Sequence, residues 1–248
     1  MLLEGKVAVI YGAGGKVGGA VAHTFAREGG RVFLAGRTLV SLERVAAELP
    51  DGGEIAQLDA LDAGAVDRHA EEVVAAAGSI DISFNLISHA FVQGRPLVEM
   101  SPEDYVEPVL STVRSTFLTA RAAGRHMMRQ RSGVILSFGG AADPPRGAHL
   151  GSLQVALHAV EAMRRQLASE LGAYGVRVVT LLTSGIPETI PDDVPARRTI
   201  SEAIERSTLL GRAATLEDVA RVAAFVASDQ ARTITGASIN ISAGTFLD

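Results

Sequence analysis

Short runs of β-branched and aliphatic residues alternate with longer stretches of helical period along almost the whole chain, and no other feature constrains the fold as much. The run at 7–10 (Val-Ala-Val-Ile) is apolar at every position, as suits a strand buried on both faces. Residues 17–27 then carry Val17, Ala20, Val21, Phe25 and Ala26 at the spacing of one helix face. The same pair of signals recurs in strand 31–35 with helix 40–49, which stops at Pro50-Asp51-Gly52-Gly53, and in strand 54–58 with helix 63–77. Strand 82–86, strand 134–138 with helix 152–174, strand 176–182, helix 217–227 and a last strand at 238–241 complete the series. Ser101-Pro102-Glu103-Asp104 opens another helix, with a serine cap, proline in the first turn and carboxylates at the positive end. That helix is expected to reach Met128, with Pro108 as a kink or a restart. Strands separated by crossover helices pair in parallel, so the pattern predicts a doubly wound α/β sheet of about seven strands with helices on both faces.

Composition narrows what such a sheet does. No linker or charge run divides the 248 residues, so one domain over 1–248 is expected. The chain has no cysteine, which excludes disulfides, thiolate nucleophiles and Cys-based metal sites. Its six histidines show no metal-ligand spacing, so no metal is expected. A net charge of −5 argues against a nucleic-acid partner. Every apolar run is too short to span a bilayer, and no signal peptide is read at Met1–Lys6, so a cytoplasmic protein with no membrane partner is expected. The polar stretch from Pro187 to Ile200, extended to about 212, reads as a mobile flap over a substrate.

Between the first strand and the first helix lies Tyr11-Gly12-Ala13-Gly14-Gly15-Lys16-Val17-Gly18-Gly19. A glycine-rich turn there lets backbone N–H groups approach a pyrophosphate, which then rests on the positive end of the helix. This is the signature of a Rossmann-type dinucleotide site; the alternative is a tight structural turn. The second strand ends in Ala35-Gly36-Arg37-Thr38, with no carboxylate to hold the ribose hydroxyls of NAD(H). Arg37 is instead placed to pair a 2′-phosphate, and Lys16 adds a second cation near the same pocket. The reading is NADP(H) preferred over NAD(H), against the alternative that both are solvated surface charges.

These residues resemble the short-chain dehydrogenase/reductase family over nearly the full length of the chain. The family's T-G-x-x-x-G-x-G loop is similar to residues 11–18, with Lys16 in place of the middle glycine. Its adenine-contacting aspartate matches Asp59, and its N-N-A-G segment matches Asn85-Leu86-Ile87-Ser88, keeping only the first asparagine. The P-G after the sixth strand matches Ser184-Gly185. Leu210-Gly211-Arg212, Ala227-Ser228-Asp229 and Ile234-Thr235-Gly236 are similar to the family's closing pattern. The resemblance therefore implies cofactor contacts at Gly12, Gly14, Gly15, Lys16, Val17, Gly18, Arg37, Thr38, Asp59, Asn85 and Gly185. It also implies a homotetramer, since the family pairs the helices that correspond to 101–128 and 152–174, here apolar on more than one face.

The family's chemistry uses a serine, a tyrosine, a lysine one helical turn later and an asparagine. Those positions fall on Gly140, Leu153, Leu157 and Thr112. Reducing a ketone leaves an alkoxide that needs a proton donor, a contribution of roughly 10²–10⁴-fold. Leu153 and Leu157 instead present one apolar face. His149, one turn before Leu153, and His89, after the Asn85 segment, are candidate substitutes, with Asp143 and Arg146 in the loop after Gly140. The alternative for each is an ordinary rim residue. Three functions stay open: atypical chemistry on a small molecule, either a non-standard reduction or a redox-neutral step; a catalytically silent NADP(H)-binding sensor or partner subunit; or an ordinary ketoreductase whose tyrosine lies elsewhere, Tyr174 being the nearest in sequence.

Overall fold

A computed structural model describes residues 1–50, 52–140 and 149–247. Among them, β1 (Val7–Tyr11), β2 (Arg31–Gly36), β3 (Glu54–Gln57), β4 (Ile82–Asn85), β5 (Gly133–Gly140), β6 (Val176–Thr183) and β7 (Ala237–Asn240) form one sheet. Their order is β3-β2-β1-β4-β5-β6-β7, and each neighbouring pair is parallel. The helices are α1 (Lys16–Arg27), α2 (Leu39–Ala47), α3 (Ala63–Ala77), α4 (Pro102–Gln130), α5 (Leu153–Leu171), α6 (Arg197–Arg206) and α7 (Leu216–Ala227).

Strand pleating divides the core. Along β1, Ala8 and Ile10 face a layer with Phe25 of α1, Leu42 of α2 and Ala223 of α7. Val7, Val9 and Tyr11 face the opposite layer, with Val66 of α3, Met127 of α4 and Leu171 of α5. Burying side chains such as Phe25 and Phe84 completely stabilises the sheet by about 1.5–3 kcal/mol each. Strand order reverses between β1 and β4, which pair Tyr11 with Asn85, and a crevice opens above that point where the crossovers leave in opposite directions.

Local chemistry sets the helix ends. Asp62 caps α3 by accepting from the N–H groups of Gly64 and Ala65, and Gly78 ends it at φ +84°. Ser101 caps α4 through the Asp104 N–H, and Thr215 with Asp218 forms a reciprocal capping box on α7. One expectation needs correcting. Pro108 causes no restart, because α4 runs as one helix from Pro102 to Gln130 and its second half is buried against β4 and β5. The polar stretch after 187, expected as a flap, carries secondary structure of its own. It holds a 3-10 turn at Pro187–Thr189 and all of α6, whose Ile204 packs on Gly185. No helix among the described residues is long and apolar enough to cross a membrane.

Candidate functional site

The glycine loop is shaped by backbone approaching backbone. Gly12 has φ +83°, and a Cβ there would lie 2.6 Å from the Leu86 carbonyl oxygen beyond β4. A Cβ at Gly14 would lie 2.8 Å from the Ser41 Cβ, and one at Gly18 would overlap the Gly12 carbonyl oxygen. Gly15 caps α1 with no side-chain acceptor, so the first-turn N–H groups stay available to an anion. Val17 is half-buried against the first core layer. This cradle borders a cavity of about 300 Å³ above β1, β2 and β4, lined by Gly12, Gly14, Gly15, Arg37, Thr38 and Asp59 among others. The space, the glycines that a Cβ would fill, and the cationic rim fit a dinucleotide.

Arg37 is exposed just after β2 and pairs with no carboxylate among the described residues; its own carbonyl accepts from Gln57 at 2.9 Å. Asp59 turns one carboxylate oxygen to the Leu61 N–H at 2.9 Å. The expected second cation is placed differently. Lys16 extends away from the cavity, and its ammonium donates to the carbonyls of Glu188 at 2.7 Å and Ile190 at 3.3 Å. Glu188 in turn accepts from the Leu216 N–H at 2.6 Å, so the start of the flap is clasped between the first turns of α1 and α7. A cation nearer the loop is Arg44, at 3.5 Å from the Gly14 carbonyl. Asn85 is buried and braces the scaffold, donating to Thr119 on α4 at 3.0 Å and accepting from the Ile87 N–H at 3.1 Å. Gly185 lies outside the cavity, at φ +146° against Ile204.

The cavity also contains residues that periodicity does not single out. Tyr11 fills the floor beneath the loop, edge-on to His69 with ring centroids 5.9 Å apart, and burial pushes its phenol well above the usual range. Ser41 and Ser115 line the walls. His89 lies in the same cavity, with Nε2 at 3.0 Å from the Ser115 hydroxyl. Burial, and then the charge of Arg37, hold its imidazole below the usual histidine value, while Asp59 acts in the opposite direction.

The four positions that the resemblance leads one to expect at the reaction centre are placed as follows. Thr112 spends its hydroxyl on the Pro108 carbonyl at 2.7 Å. Gly140 ends β5, where a Cβ would be 3.1 Å from the Thr183 carbonyl oxygen and 3.6 Å from Leu157. Leu157 also reaches to 3.4 Å from a Cβ placed at Gly139, so an isobutyl group lies over the strand end. Leu153 opens α5 one turn earlier and is half-buried. His149 is exposed at φ +28°, its carbonyl accepting from the Gly94 N–H at 2.8 Å, and does not line the cavity. Asp143 and Arg146 lie outside the described residues.

Comparison with known proteins bears on the family and the fold. The family model described as enoyl-(acyl carrier protein) reductase matches residues 12–245. Momilactone A synthase of Oryza sativa subsp. japonica is 31% identical over 252 residues, covering 98% of this chain and 90% of its own. Meso-2,3-butanediol dehydrogenase of Serratia marcescens is 31% identical, covering 98% and 96%. D-threitol dehydrogenase of Mycolicibacterium smegmatis is 30% identical, covering 98% and 93%. The crystal structure of gox2181 superposes with a TM-score of 0.87 at 23% identity, covering 98% of this chain and 96% of its own, a likeness of fold. With its parallel sheet, its glycine cradle at the strand-order reversal and matches along nearly its whole length, the chain belongs to the short-chain dehydrogenase/reductase family of NAD(P)-dependent oxidoreductases.

Proposed function

We propose that this protein binds NADP(H) in preference to NAD(H) and acts on a small molecule without the tyrosine and lysine that its family uses at the substrate carbonyl. The observation that carries the cofactor preference is Arg37 on the rim of the cavity, paired with no carboxylate among the described residues, where an NAD-selective site would need a carboxylate. Gly12, Gly14 and Gly15 would cradle the pyrophosphate, Arg37 and Thr38 the 2′-phosphate, and Asp59 the adenine end. A bound nicotinamide supplies hydride transfer to or from a substrate carbon. The relatives' names describe alcohols and diols, which supports a small hydroxyl- or carbonyl-bearing substrate.

At the other end of the cleft, the described side chains offer little to a developing alkoxide. Leu157 covers Gly139 and Gly140, and the Thr112 hydroxyl is bound to its own helix. The chemistry is therefore either a reduction whose proton comes from an atypical donor or a redox-neutral step. The apolar cover by Leu157 also favours a second reading, a silent NADP(H)-binding subunit. Titration with NADPH and NADH, followed by turnover assays on diols and ketones, tests both. Equal affinities overturn the cofactor preference, and ordinary rates of about 1–10³ s⁻¹ on generic ketones overturn the atypical site. Absence of any turnover with tight NADPH binding favours the silent subunit. A homotetramer belongs to the same proposal. Val106, Leu110 and Phe117 on α4 and Val155 on α5 are exposed apolar side chains that such pairing would cover, and a monomer by light scattering overturns it.

A further inference from the structure

His89 was a candidate for the missing proton donor, yet the structure sets it among the groups of the dinucleotide cavity. Three elements converge on it: the end of β2 with Arg37, the turn after β3 with Asp59, and α4 with Ser115. The Ser115 hydroxyl donates to the Thr112 carbonyl at 3.2 Å, which leaves its lone pair to accept the Nε2–H of His89 at 3.0 Å. That anchor survives when Nδ1 takes up a second proton, so the ring can change charge without changing place.

We propose that His89 is a second determinant of cofactor choice, a Ser115-anchored imidazole that adds its charge to that of Arg37 in drawing the 2′-phosphate of NADP(H). The proposal rests on the NADP(H) reading above. Arg37 and Asp59 are the charged groups that act on the ring from its neighbouring elements, Arg37 against the charged form and Asp59, more weakly, towards it. A 2′-phosphate brought between Arg37 and the ring tips that balance towards the imidazolium. Binding therefore raises the His89 pKa. By linkage, the ring strengthens NADPH binding most at low pH, and the gain fades as pH rises through the value in the complex. NADH, without the phosphate, gains nothing. The phosphate itself takes up a proton near about pH 6, which works against the effect, so wild type must be measured against a variant with a neutral side chain.

The experiment measures dissociation constants of NADPH and NADH by calorimetry at about pH 6 and about pH 8, for wild type, His89→Gln and Arg37→Ala. Glutamine keeps an amide donor for Ser115 but does not titrate. The expected result is an NADPH-over-NADH selectivity about five-fold higher in wild type than in His89→Gln near pH 6, and about equal near pH 8. The same ratio at both pH values overturns the role of His89. If wild type shows no NADPH preference and Arg37→Ala changes nothing, the NADP(H) reading falls and this proposal with it. A preference that Arg37→Ala abolishes, with a flat His89→Gln ratio, removes only His89. A second measurement needs no working variant. The imidazole signal of wild-type His89 by NMR is expected to titrate at higher pH with NADPH bound than with NADH bound, and one common midpoint overturns the proposal.

Discussion

The loop after β1 and the end of β5 both rely on glycine above the same edge of the sheet, but the two glycines differ in what surrounds them. At Gly12 the positive φ and the Leu86 carbonyl leave no room for a side chain. At Gly140 the nearest atoms are a carbonyl oxygen at 3.1 Å and the tip of Leu157, and φ is ordinary. Geometry forces the first glycine, whereas a side chain at the second needs the Thr183 carbonyl to give by only a few tenths of an ångström. The proposed cofactor half of the cleft is thus locked by backbone packing, whereas the proposed substrate half is held less tightly. On the proposed reading, Leu153 and Leu157 stand where the family carries its acid and its ribose-holding lysine.

The sharpest way to break this contrast is to rebuild the substrate half. Gly140→Ser, Leu153→Tyr and Leu157→Lys together are expected to raise reduction of generic ketones by about 10²–10⁴-fold over wild type, as a positioned general acid contributes. Loss of the Leu157 packing costs about 1–3 kcal/mol of stability at the same time. Steady-state kinetics and thermal unfolding measure the two effects, and an unchanged rate in a folded triple variant shows that substrate is not held over Gly140.

The matching change in the cofactor half is Gly12→Ala. It is expected to lower stability by about 2–4 kcal/mol and to weaken NADPH and NADH alike by more than about ten-fold, through strain at positive φ and contact with Leu86. A harmless Gly12→Ala beside a damaging Gly140→Ala reverses the contrast. Next in size is Arg37→Ala, expected to weaken NADPH by about 10–100-fold, the worth of a charge-assisted pair, and to leave NADH unchanged. Equal losses for both cofactors show that Arg37 acts on the adenine side rather than on the phosphate.

The smallest effect is expected at Lys16. Because its ammonium holds the carbonyls of Glu188 and Ile190, Lys16→Ala loosens residues 187–206 by at most about 1 kcal/mol without altering NADPH-over-NADH selectivity. Hydrogen exchange confined to that stretch measures the loosening. A fall in selectivity instead returns Lys16 to the phosphate site.

Much of this scaffold is legible without coordinates. The strand run at 7–10, the glycines of the loop and the Ser101 cap depend on interactions within a few residues, and the structure keeps all of them. α6 was hidden because its apolar positions, Ile200 and Ile204, stand in a stretch rich in proline and charge. Their four-residue spacing was the signal that finds it. The site was legible where one segment supplies both partners and illegible where two distant segments meet. Nothing near His89 in sequence announces Arg37, Asp59 or Ser115, and nothing near Lys16 announces the carbonyls beyond β6.

What the sequence determined by itself is the alternation of strands and helices, the parallel sheet, and the glycine turn that opens its first helix, because these follow from side-chain period, capping and backbone freedom. What only the tertiary structure decided is where long side chains end. Lys16 turned to the flap, His89 turned to the cofactor cavity, Asn85 turned to α4, and Leu157 came to lie over the end of β5. A lysine or leucine side chain spans several ångströms and chooses among partners that chain order does not bring together. Packing of the sheet alone sets which partner is within reach.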